Sequence, residues 1–120
     1  MKPEITIIAT PVTLPELEPL AKAWYQELIK GVADVERGII ALGGEWHMDA
    51  NQVLIADGSE QKNIWGFNIY PEKRGDDAIE YNSLINIRPA MGHKTMTIED
   101  TALRRKVRAT VGKLLPELKL

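Results

Sequence analysis

The residues from Asn63 to Tyr70 constrain this chain more than any other stretch. Side chains along a β-strand point alternately to opposite faces, so Trp65, Phe67 and Ile69 turn one way while Gly66, Asn68 and Tyr70 turn the other. A segment with one bulky apolar side belongs in a sheet that is covered on that face, and a slip of one residue would bury the wrong set. Pro71 stops it, because proline has no N–H to give to a ladder.

Other segments supply neighbours. Ile79 to Ile87 alternates in the same way and ends at Arg88-Pro89. Ile5 to Thr10 is largely β-branched and lies between Pro3 and Pro11, which predicts a short strand. Val32 to Val35 and Ile39 to Leu42 flank Glu36-Arg37-Gly38, a hairpin with its glycine in the left-handed position. Leu28, Val32, Val35 and Ile39 also sit at helical spacing, so an extension of the first helix to about Ile39 stays open. A strand ending at His47 or Met48, a turn at Asp49 to Asn51, and a strand from Gln52 to Ala56 complete the sheet, and Asp57-Gly58-Ser59 turns the chain again.

Two helices are expected. Thr13-Leu14-Pro15-Glu16 fits a capping box, followed by Leu17, Leu20, Ala21, Trp24 and Leu28 at helical spacing with Gly31 as a stop. Pro19 would break the ladder further in, which moves the regular helix to about Glu18. Asp100 caps the second, with Leu103, Val107, Val111, Leu114 and Leu118 on one stripe and its regular part ending by Leu115, ahead of Pro116. The chain of 120 residues is one domain, 1–120, of α+β class. Its sheet is mostly antiparallel, with about five or six strands and two helices packed on one face.

Charge and composition narrow the partners. A net charge of −2 provides no field for nucleic acid or an anionic membrane. Arg104, Arg105, Lys106 and Arg108 make the last helix locally basic, but without interleaved aromatic residues this reads as a solvated face. The apolar run Ile5 to Ala9 is too short for a signal-peptide core or a membrane span. Cysteine is absent, which removes thiolate zinc sites and cysteine nucleophiles and fits a reducing compartment. A cytoplasmic location is expected.

Glu45-Trp46-His47-Met48-Asp49 also alternates, and as a strand it would line Glu45, His47 and Asp49 along one face. If strands pair in chain order, Tyr70 meets Glu80 and Asn68 meets Asn82. His47, Asp49, Asn68, Tyr70, Glu80 and Asn82 then gather at one end of the sheet. His47, Asp49 and Glu45 are the candidate catalytic residues, the imidazole as base and a carboxylate fixing its tautomer. His47 and Asp49, alternate residues about 7 Å apart, could share a divalent metal, whereas a flat strand carries Glu45 too far to join them. Asn68, Glu80, Asn82 and Arg88 are candidate ligand-binding residues, with Arg88, His93 and Lys94 forming a possible phosphate or nucleotide loop ahead of a helix start. Polar residues on the open face of a sheet are expected in any case. The first reading is therefore a binding or assembly module that uses this face, including as a homodimer. A small metal-assisted enzyme and a phosphate or nucleotide binder are the alternatives.

Gly43-Gly44-Glu45-Trp46-His47-Met48-Asp49, Asp57-Gly58-Ser59, Ile64-Trp65-Gly66 and Leu84-Ile85-Asn86-Ile87-Arg88-Pro89 follow in order. In these segments the chain resembles a small family of bacterial and archaeal proteins described only as a domain of unknown function. It departs from that family's pattern at Asn51, where a glutamate is common, and at Gly92-His93-Lys94, where the family loop is rich in asparagine. The resemblance implies a single domain and brings no activity or cofactor with it.

Overall fold

The computed structural model of the chain describes residues 4–120, so Pro3, expected to bound the first strand, lies outside the described residues. Among the described residues, five strands form one sheet: β1 (Thr6–Ile8), β2 (Ile29–Asp34), β3 (Ile39–Leu42), β4 (Ile64–Ile69) and β5 (Ile79–Glu80). They lie in the order β1-β3-β2-β4-β5, and every neighbouring pair is antiparallel. The described residues also form three α-helices: α1 (Glu18–Trp24), α2 (His47–Ala56) and α3 (Thr101–Leu114).

The alternation of β4 separates two apolar layers. Trp65, Phe67 and Ile69 pack with Leu17 and Leu20 from the α1 region and with Val107, Val111 and Leu114 of α3. This is the face covered by two helices, as the apolar stripes predicted. Burying each such side chain contributes about 1.5–3 kcal/mol, which makes this layer the main source of stability. On the other face, Ala50 and Leu54 of α2 meet Val32, Ala41 and Ile64.

Several local expectations hold. The β2–β3 hairpin turns with Gly38 at φ 69°, and α1 ends at Trp24, which excludes the extended-helix alternative. Thr13 and Glu16 form the capping box, the Glu16 carboxylate accepting from both the Thr13 N–H and its hydroxyl. The regular helix starts at Glu18, after a short 3-10 turn that accommodates Pro15. Asp100 caps α3 by accepting from the Leu103 N–H at 3.0 Å.

Two expected strands are absent. Residues 47–56 are helical, because the Asp49 carboxylate accepts the Trp46 N–H at 3.1 Å and closes the first turn. His47 therefore has no strand partner, and β4 lies beside β2 instead of a strand at 52–56. Of Ile79 to Ile87 only Ile79–Glu80 joins the sheet, with Glu80 opposite Asn68 and Ile79 opposite Ile69, while Asn82 forms an isolated antiparallel bridge with Thr97. Beyond Glu80 the edge of β4 is satisfied by side chains. The Asn86 amide accepts the Gly66 N–H at 2.8 Å and donates to the Gly66 carbonyl at 3.0 Å, reproducing both bonds of a neighbouring strand. Arg88 then donates to the Ile64 carbonyl. Residue 66 must be glycine for this approach, since a Cβ there would stand 2.4 Å from the Ser83 Cβ.

The apolar residues of these segments divide between the two layers and the surface. Trp65, Phe67, Ile69 and Tyr81 share a layer, but Leu54 and Ile85 belong to the opposite one, and Trp46 and Ile87 are exposed. Finally, the chain's two end regions clasp each other. The Leu14 N–H donates to Glu117 at 2.7 Å, the Val12 N–H donates to the Leu114 carbonyl at 3.0 Å, and Leu118 is fully buried.

Candidate functional site

β4 lies between β2 and β5, so Lys30, Asn68 and Glu80 form one row across three strands. The row is on the face opposite Ile29, Ile69 and Ile79, the face that α2 covers. α2 reaches this row with its first turn only. A cleft of about 490 Å³ remains between that turn, the row and the 82–85 segment. Lys30, His47, Asn68 and Ser83 provide its polar lining, with Asn82 beside them. Trp46, Met48, Leu84 and Met96 form an apolar rim and are 59%, 46%, 67% and 44% exposed. Large apolar side chains gathered this way around a polar floor are unusual for a solvent-facing surface.

His47 is buried, and its Nε2 lies 2.9 Å from the Phe67 carbonyl oxygen. A carbonyl can only accept, so Nε2 carries the proton and Nδ1 keeps a lone pair. Burial holds the imidazole below its ordinary pKa, the bond to Phe67 works against that shift, and the Lys30 charge adds to it. The residue is thus a neutral imidazole near pH 7.

Asn68 is 9% exposed, and its Oδ1 makes no hydrogen bond of regular geometry, although its side chain lies close enough to the imidazole to act on it and oppose the fall in its pKa. Its Nδ2 makes only a long contact, 3.5 Å, with Glu80 Oε1. The same carboxylate oxygen accepts the Tyr70 hydroxyl at 2.7 Å, which pushes the Tyr70 pKa up to about 12, with burial adding to the effect. Ser83 accepts from the Ile85 N–H, so its own hydroxyl proton is available to donate.

The expected cluster is therefore partly assembled, by a different route. His47, Asn68 and Asn82 line one cleft, and Glu80 with Tyr70 is joined to it through Asn68. Asp49 and Glu45 stand apart. Residues two apart on a helix do not share a face, so Asp49 is directed away from His47 and serves the helix cap. Glu45 is exposed, and its backbone carbonyl accepts from the Tyr25 hydroxyl. Among the described residues, no group of three His, Asp or Glu side chains is arranged to hold a metal ion.

Arg88 does not line the cleft. Its guanidinium lies 3.9 Å from the centre of the Trp65 ring and donates to the carbonyls of Ile85, Gln61 and Ile64. His93 packs edge-on against the same ring at 4.9 Å. Arg88 thus closes part of the β4 edge, while His93 packs against the Trp65 ring.

Sequence reasoning missed Lys30 and Ser83. Pairing strands in chain order never sets β2 beside β4, so Lys30 could not be placed opposite Asn68. The signal for Ser83 was the bare surface of Gly66, visible only once the two are known to touch.

A family model described as Protein of unknown function (DUF5674) matches residues 6–114. No curated protein and no solved structure matches the chain.

Proposed function

The chain belongs to the DUF5674 family, and from that premise we propose that it is a binding module whose cleft takes a small, largely apolar organic molecule bearing a hydrogen-bond donor. The observation that carries this reading is an apolar-rimmed cleft with Asn68 in its lining, whose buried Oδ1 has no well-formed hydrogen bond beyond its approach to the His47 imidazole. Leaving such a group unsatisfied costs about 1–3 kcal/mol, a cost that a ligand N–H or O–H would offset. The volume falls within the range of small-molecule pockets, and Trp46 offers a ring face at the mouth. Ser83 and Lys30 add donors, so a ligand with both a donor and an acceptor edge fits best.

Assembly through the same face is less well supported, because the apolar groups surround a concavity. Catalysis by His47 would lack the carboxylate partner that Asp49 was expected to supply. No helix among the described residues is long and apolar enough to cross a membrane. The chain's net charge of −2 supports the view that nucleic acid is not the partner.

Titration with indole and with benzamide, followed by amide NMR shifts, tests the reading. Benzamide, which has both an N–H edge and a carbonyl, is expected to shift residues 46–48, 68 and 82–85 saturably. Asn68→Leu removes the buried acceptor, so it should weaken benzamide binding about tenfold while leaving thermal stability equal or higher. Shifts scattered over the surface, or unchanged binding by Asn68→Leu, would rule the cleft out.

A further inference from the structure

A second concavity lies on the opposite face of the β5 edge, against α3. Thr101, Arg104, Arg105 and Arg108 line it at the helical spacing i, i+3, i+4 and i+7, so one stripe of the helix faces the cleft. Sequence reasoning assigned these arginines to a solvated face, but three of them share a space of about 630 Å³ with Tyr81. Arg108 is held by Asp76 at 2.6 Å, and Arg104 lies over the Tyr81 ring, 4.5 Å from its centre. Among the described residues, neither Arg104 nor Arg105 forms an ion pair.

Tyr81 is the independent observation. It is 8% exposed, lines this cleft, and its buried hydroxyl makes no hydrogen bond of regular geometry, although it lies close enough to the Arg108 guanidinium to interact with it. Three guanidinium groups lining one cleft beside the Tyr81 phenol, two of them without an ion-pair partner among the described residues, make an array of donors suited to a multi-oxygen acceptor. Guanidinium forks match the oxygens of a phosphoryl group, and such charge-assisted bonds are the strong ones.

We infer that this cleft binds the phosphoryl group of a small phosphorylated molecule. The space is larger than a bare phosphate needs, so it accommodates the organic body as well. Asp76 and Glu80 stand in the same walls and would repel an extended polyanion, which favours a compact ligand over a nucleic-acid backbone. Asp76 is the occupant of Arg108 until such a ligand displaces it.

The test uses ribose 5-phosphate, with ribose as the control lacking the phosphoryl group, in NMR titrations at constant ionic strength. Saturable shifts are expected at residues 76–82 and 97–108 with the phosphate ester only. Arg105→Gln should weaken binding about tenfold or more, because one charge-assisted donor is lost. Lys106→Gln removes a neighbouring charge off the stripe and should leave the affinity unchanged. Asp76→Asn frees Arg108 and should tighten binding. Circular dichroism confirms that each variant is folded. The inference is overturned if ribose produces the same shifts, or if Arg105→Gln binds like wild type. It is equally overturned if Lys106→Gln weakens binding as much as Arg105→Gln, if Asp76→Asn weakens it, or if a single-stranded oligonucleotide binds more tightly than the sugar phosphate.

Discussion

Asn86 and Arg88 do with side chains what a strand does with its backbone. Along β4 the groups facing away from β2 belong to residues 64, 66 and 68. Arg88 closes the first, Asn86 the second and β5 the third. Asn86 also donates to the Met96 carbonyl at 3.1 Å, tying the 81–97 segment to the sheet. Asn86→Ala would strand several buried groups at once, so it should lower unfolding stability by about 3 kcal/mol or more in urea titrations. An effect below about 1 kcal/mol would show that water replaces the amide. His47 gives a pH signature. Its folded pKa lies below the usual 6.5, so the unfolded chain takes up a proton first as pH falls. The imidazole's contribution is therefore complete above pH 6.5 and is lost as pH falls through that value toward the folded pKa. Urea midpoints at pH 7.5 and 5.5 should differ more for wild type than for His47→Gln, whose amide still donates to Phe67. Equal differences would remove His47 as the source.

At the scale of elements, the sequence revealed those whose buried residues are apolar. β4, the β2–β3 hairpin, the Thr13 capping box and α3 were all legible, because period, turn glycine and cap agreed in each. α2 was not. Its buried residues are His47, Ala50, Asn51 and Leu54, a proper helical stripe in which two of four side chains are polar. Those two are satisfied out of sight of any hydropathy pattern, His47 by the Phe67 carbonyl and Asn51 by a two-way amide pair with Gln61 at 2.8 Å. The alternation of Glu45 to Asp49 suggested a strand over the same residues, and the signal it hid was Asp49 placed to close a first turn. The strand at Ile79 to Ile87 failed for the opposite reason. Its alternation was real, but Asn86 pairs with β4 through its side chain, and no periodicity encodes that choice.

At the scale of the molecule, the candidate site was half legible: the asparagines and His47 were nominated, whereas Lys30 required the crossing of β2 beside β4. The same crossing places the two clefts on opposite faces of the sheet, meeting only near Asn82, which lines both. Ligands for the two should therefore bind without competing. Saturating benzamide and ribose 5-phosphate together should raise the melting temperature by the sum of their separate shifts, each fixed by its own occupancy. A joint shift no larger than the greater single one would mean that they share a site. The clasp between Leu14 and Glu117 has a consequence during synthesis. The two residues are 103 positions apart, so α1 leaves the ribosome long before the carboxylate that holds its entry turn exists. Ribosome-bound chains stalled before Glu117 should have α1 open to proteases, and release should protect it.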